Sequence, residues 1–147
     1  MSNNITDKGK EVRKGEELDV LTIDKWLKSQ FPYLQGTPII TQFVGGASNW
    51  TYRIEYENED LILRRPPAGT KAKSAHDMGR EYRIQKALAD LYPVPEMLAF
   101  CEDESVIGAD FYIMKRINGI IPRANLPKSL SLNEEEVKQL CSNVIDQ

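Results

Sequence analysis

The chain has 147 residues, of which 41% are hydrophobic and 28% charged, with a formal net charge of −3. That length allows one modest domain or part of a larger one, and the balance is ordinary for a globular chain, not a disordered, repetitive or collagen-like one. No basic excess and no bilayer-length apolar run is present, so neither nucleic acid nor membrane is an expected partner.

Residues 1–18 are polar with little pattern and are expected as a flexible tail, without the apolar core of a secretory signal. The default location is therefore the cytoplasm. The Asn-x-Thr triplets at Asn4 and Asn49 are then chance matches, since glycosylation needs a secretory route. Cys101 and Cys141 stand far apart with no Cys-x-x-Cys spacing and are expected as free, buried thiols. A first helix is expected from Thr22, acting as cap, with Ile23, Trp26 and Leu27 on one face, ending at Phe31-Pro32. Ile39 to Phe43 reads as a strand, Gly45 to Asn49 as a turn of small residues, and Trp50 to Tyr56 as an alternating strand. A polar hairpin turn leads into a third strand, Leu61 to Arg65, stopped by Pro66-Pro67. A second helix is expected from Ser74, with Asp77 in its capping sequence, to about Leu91 before Pro93. Met97 to Cys101 and Phe111 to Ile117 follow as strands, and Asn118-Gly119 breaks the second. Ser131 with Glu134 predicts a capping box for a last helix running to the end.

Three consecutive strands joined by short turns argue for an antiparallel α+β arrangement, not a Rossmann alternation. Within it, two charges stand out. The expected apolar stripe Ile84, Leu88 and Leu91, extended back by three, lands on Glu81, placing a carboxylate on a face that should be buried. A buried carboxylate calls for a partner. On the third strand, Ile62 and Arg64 share one face while Leu61, Leu63 and Arg65 share the other, so Arg64 is the natural cation. The alternative is that either charge simply lies at the solvent edge. The turn Gly45-Gly46-Ala47-Ser48-Asn49 is neither a Walker loop nor a dinucleotide fingerprint, and a Gly-Gly turn is often only a hairpin. Its glycines nevertheless allow backbone N–H groups to approach a phosphate.

Strand, Gly-rich turn, strand, cation-bearing strand, then a helix with an inward Glu is the order of the kinase ATP-binding lobe. Phe43-Val44-Gly45-Gly46-Ala47-Ser48-Asn49-Trp50-Thr51-Tyr52, Leu63-Arg64-Arg65-Pro66-Pro67, Gly79-Arg80-Glu81-Tyr82-Arg83, Val94-Pro95 and Phe111-Tyr112-Ile113-Met114-Lys115 carry a closer likeness. Through them the chain resembles the aminoglycoside phosphotransferase family of kinase-like enzymes, nearest the branch also found fused to some acyl-CoA dehydrogenases, over roughly residues 20–147. The resemblance implies a kinase-like N-terminal lobe over 19–118: a five-stranded antiparallel sheet with a helix packed on it and flanking N- and C-terminal helices. Residues 119–147 would form a connector and the start of a second lobe.

By the same resemblance the ligand is ATP with Mg2+. Gly45, Gly46, Ala47, Ser48 and Asn49 would cover the phosphates. Arg64, where most kinases have lysine, would hold a phosphate oxygen and Glu81 together. Ile62 would face the adenine and Met114 would sit behind it, while the backbone of Lys115 and Ile117 would hydrogen-bond its edge. The reaction implied is phosphoryl transfer from ATP to a hydroxyl of a small molecule. The family's His-Gly-Asp catalytic loop, its following Asn and the later magnesium motif do not occur. The His76-Asp77 pair lies at a helix start with no Asn at the right offset, and His76 is expected as a solvent-facing or capping-turn residue. Glu134-Glu135-Glu136 suits the dipole of a helix start and needs no catalytic role. The expectation is thus a nucleotide-binding lobe whose catalytic lobe is absent, inactive alone, with apolar surface left for self-association. The alternative is a non-catalytic nucleotide-binding or interaction module.

Overall fold

The computed structural model describes residues 6–44, 48–69, 76–122 and 124–146. They divide into two compact units, Lys8–Ile117 and a second made of Met1–Asp7 with Asn118–Gln147.

The first unit is built on one antiparallel sheet of five strands in the order β1-β2-β3-β5-β4: β1 Ile39–Gln42, β2 Trp50–Glu55, β3 Asp60–Arg65, β4 Met97–Cys101 and β5 Phe111–Lys115. The α+β class and the five strands are those expected. The register decides which residues share a face. Tyr52 lies opposite Leu63, Ile54 opposite Leu61, and Leu63 opposite Ile113. These apolar residues form one continuous buried face, each fully shielded from solvent. On the other face Arg64 lies opposite Tyr112, and Ile62 opposite Met114.

Helix α1, Val20–Gln30, covers the apolar face. Its Ile23 and Leu27 are wholly buried there, and Trp26 meets Phe111 edge-on at 4.9 Å between ring centres. The helix begins two residues before Thr22, because the Asp19 carboxylate accepts the Thr22 N–H at 2.8 Å and acts as the cap. The polar stretch before it is not loose from Lys10 onward. Lys10 bridges to Gln42, the Tyr52 hydroxyl donates to the Glu16 carbonyl at 2.7 Å, and Leu18 is buried. Side-chain polarity alone did not reveal this, since the contacts run mostly through backbone.

Helix α2, Met78–Leu88, lies on the opposite face. Asp77 caps it by accepting the Arg80 N–H at 2.8 Å; Ser74 lies outside the described residues. Its least exposed residues are Met78, Gly79, Glu81, Tyr82, Gln85 and Leu88, so of the expected stripe Ile84, Leu88 and Leu91 only Leu88 faces inward. Ile84 is 53% exposed and Leu91, beyond the helix end, 82%. Tyr82 of the helix stacks on Phe100 of the sheet at 5.6 Å. Gly79 permits that approach: a Cβ there would stand 3.2 Å from the Phe100 ring.

In the second unit, α3 spans Glu134–Ile145. Its cap is Asn133, not Ser131, with a reciprocal box to Glu136. Ser131 instead closes a short 3₁₀ turn, Lys128–Leu130, with φ of 43°. Glu134, Glu135 and Glu136 occupy the first turn, as expected. Leu140, Val144 and Ile145 stay exposed and, with Pro122, Ala124 and Leu126, line an apolar groove of about 500 Å³. Cys141 is exposed there, contrary to the expectation for both thiols; Cys101, on β4, is buried.

Candidate functional site

The face of the sheet that carries α2 holds the candidate site. Strand alternation puts Ile62 and Arg64 of β3 and Tyr112 and Met114 of β5 on this face. One turn into α2, Glu81 reaches the same place. Arg64 Nε lies 3.7 Å from Glu81 Oε2, so the expected ion pair is present. At that distance it is not a hydrogen bond. Arg64 Nε is buried and has no hydrogen-bond partner among the described residues.

Neutral donors hold the carboxylate instead. Asn49 Nδ2 donates to Glu81 Oε1 at 3.0 Å, and the Tyr112 hydroxyl donates to Oε2 at 3.1 Å. Gln85 Nε2 in turn donates to the Tyr112 oxygen at 3.3 Å. Burial pushes the Tyr112 phenol above its ordinary pKa, with the Glu81 charge adding to the rise, so at neutral pH it remains a donor. His76 Nδ1 lies 3.0 Å from Asn49 Oδ1. Of the two expectations for His76, solvent-facing or capping-turn, the second fits its place just before the cap of α2, where it is also tied to the residue before β2.

Sequence reasoning missed the roles of Tyr112, Gln85 and His76. Gln85 follows Glu81 by four residues, which places it on the same helical face. Tyr112 becomes visible only once β5 is known to pair with β3 in this register. Arg65, next to Arg64, points to the other face and is engaged there. Its guanidinium donates to the Pro66 carbonyl at 3.2 Å and the Ile107 carbonyl at 2.9 Å, and lies over the Trp50 ring.

The other expected residues fall as follows. Gly45, Gly46 and Ala47 lie outside the described residues. Ser48 is exposed and Asn49 buried. Ile62 is buried beside half-buried Met114. Lys115 and Ile117 are exposed at the end of β5. The Lys115 N–H already donates to the Glu96 carbonyl at 3.0 Å. That donor is therefore engaged within the fold.

Residues 39–147 match the model of the phosphotransferase enzyme family. The chain belongs to this family. Its sheet, Gly-rich turn and α2 are thus those of a phosphotransferase family domain. A solved structure from Ralstonia eutropha JMP134, described as a candidate aminoglycoside phosphotransferase, is similar with a TM-score of 0.60 and 32% identity, covering 78% of this chain and 32% of that one. This likeness bears out the kinase-like α+β fold. Among curated proteins, the chain is 43% identical over 112 residues to mouse acyl-CoA dehydrogenase family member 10, covering 75% of this chain and 10% of that protein. It is 36% identical over 124 residues to chicken acyl-CoA dehydrogenase family member 11, covering 80% of this chain and 16% of that protein. The phosphotransferase family chain therefore spans only a small part of the length of these relatives, and the branch expected from sequence is the one found.

Proposed function

We propose that this lobe binds the phosphates of ATP as part of an enzyme that transfers a phosphoryl group to a hydroxyl of a small molecule. The observation that carries the reading is Arg64 Nε, a buried cationic donor without a hydrogen-bond partner among the described residues. An uncommitted buried donor is costly unless something accepts from it, and a phosphate oxygen is a strong acceptor for a guanidinium. Glu81 keeps the guanidinium oriented from 3.7 Å without consuming that donor. Asn49, which follows the Gly-rich segment in sequence, donates to the same Glu81 that faces Arg64. Ile62 and Met114, side by side on the same face, offer apolar surface to the base, and any adenine contact at Lys115 falls to its carbonyl.

Magnesium fits less well. Among the described residues no group of three His, Cys, Asp or Glu side chains is placed to hold a metal ion. In this proposal the metal ligands and the base that accepts the hydroxyl proton come from a further lobe, and the present residues supply phosphate positioning alone. No helix among the described residues is long and apolar enough to cross a membrane; a cytoplasmic setting, where ATP is abundant, suits the reading. The apolar groove beside α3 would favour self-association when nothing else covers it.

Titration calorimetry with Mg-ATP and with ADP tests the site. The expected result is saturable heat that Arg64→Ala reduces at least tenfold in affinity, as loss of a charged hydrogen bond of about 1.4 kcal/mol or more would. Absence of saturable heat, or an Arg64→Ala chain that binds like its parent, rejects the assignment.

A further inference from the structure

Glu81 accepts from Asn49 and Tyr112, and Asn49 also meets His76. The chemistry of these groups assigns every proton in the chain. A carboxylate can only accept, so the atom of Asn49 facing Glu81 at 3.0 Å is the amide nitrogen. The amide oxygen must then face His76. An amide oxygen can only accept, so His76 Nδ1, 3.0 Å away, carries a proton. The result is a one-directional relay in which His76 donates to Asn49 and Asn49 donates to Glu81.

We propose that Asn49 is a positioning residue for the nucleotide site, and that His76 fixes Asn49 in the orientation this requires. The physical reason lies in Arg64. In a direct bidentate pair, the carboxylate would consume the donors of the guanidinium. Here each Glu81 oxygen already accepts from one uncharged donor, and Arg64 Nε stands off at 3.7 Å with no hydrogen bond. Asn49 therefore holds Glu81 close enough to orient Arg64 while leaving Arg64 free for an anion. It also ties two elements to each other. Asn49 is the residue between the Gly-rich turn and β2, whereas His76 and Glu81 flank the start of α2. The relay thus fixes Asn49 to the helix from both sides of the cap. Asn49 is 8% exposed, so water competes little for these bonds.

This inference rests on the nucleotide reading above, and the test separates the two. The sequence contains one histidine, so a chain labelled with 15N at histidine gives signals from His76 alone. Long-range proton–nitrogen spectra at alkaline pH, where a neutral imidazole is present, are expected to show the Nδ1–H tautomer in the parent chain. Free histidine favours the opposite tautomer, Nε2–H, and Asn49→Ala should revert to it. Asn49→Asp keeps an acceptor for His76 and so keeps Nδ1–H, but it sets a second carboxylate against Glu81. Both variants are expected to weaken Mg-ATP binding about tenfold or more by calorimetry, the scale of one hydrogen bond to a charged group. An Nε2–H parent overturns the relay, and that spectrum needs no variant to fold. Nδ1–H in the parent together with an Asn49→Asp chain that binds Mg-ATP like the parent overturns the positioning role. If the parent itself gives no saturable heat, the nucleotide reading fails and takes the positioning role with it, whereas the tautomer still decides whether the relay exists.

Discussion

The Tyr112 hydroxyl stands 3.1 Å from Glu81 Oε2, nearer than Arg64 Nε at 3.7 Å, so the carboxylate is held by a neutral donor before it is held by the cation. Tyr112→Phe removes that donor from a half-buried carboxylate. The Arg64 guanidinium is within reach to replace it, which limits the cost to about 1 kcal/mol. The expected outcome is a modest fall in the urea midpoint with an unchanged slope, and weaker Mg-ATP binding because Arg64 is then drawn onto Glu81. A variant that binds nucleotide more tightly than its parent would contradict this account.

Asp60 joins three parts of the first unit. Its carboxylate accepts from Arg53 Nε at 2.9 Å and Nη2 at 2.8 Å, and from Arg116 Nη1 at 3.1 Å. Burial alone would raise its pKa, but the bonds and charges of Arg53 and Arg116 outweigh that and leave it below the ordinary value of 3.8. A depressed carboxylate pKa stabilises the fold above the unfolded-state value and loses that contribution as pH falls through the folded-state value. Asp60→Asn should therefore cost about 1–2 kcal/mol near neutral pH, discounted for partial exposure. The gap from the parent should close as pH falls below about 3.8. Urea unfolding at a series of pH values measures both; a gap that widens in acid would reverse the assignment.

Leu27 is fully buried between α1 and the sheet. Leu27→Ala should destabilise by about 2–5 kcal/mol, from lost burial and the cavity left behind. At the other end of α1, Asp19→Ala should lower thermal stability measurably, while Thr22→Ala, which keeps the N–H that Asp19 accepts, should change it little. Circular dichroism melts of the three variants distinguish a cap at Asp19 from one at Thr22.

The two thiols should react on different timescales. Cys141 is exposed on α3, whereas Cys101 is buried on β4 and burial raises its pKa, which lowers its thiolate fraction. An aromatic disulfide reagent should release one equivalent promptly from the folded chain and a second only after denaturant is added. Cys141→Ser should abolish the prompt equivalent.

Much of the sheet was legible because a half-buried strand writes its faces into alternate positions. Tyr52, Ile54 and Leu63 are buried for that reason. Glu81 was found by an argument that was partly mistaken. Of the stripe Ile84, Leu88 and Leu91 only Leu88 is half-buried, and Glu81 is inward because it belongs to the turn containing Met78 and Tyr82. An eleven-residue helix with scattered apolar side chains supports more than one stripe, and only its contact with Phe100 and Tyr112 selects between them. Caps were uncertain by two or three residues for a related reason. Asp19 and Asn133 compete with nearby Thr22 and Ser131, and the backbone angles of each candidate decide which one caps.

The sequence by itself determined the five strands, the Gly-rich turn, the opposite faces of Arg64 and Arg65, and the motifs of the phosphotransferase family, since these depend on local periodicity and on residue type. The tertiary structure alone decided what holds Glu81. The register of β3 with β5 sets Tyr112 opposite Arg64, and the seat of α2 on that face brings Asn49 to the same carboxylate and His76 to Asn49. Those contacts join residues about thirty positions apart, and no local pattern specifies which neutral groups will meet a charge across that span.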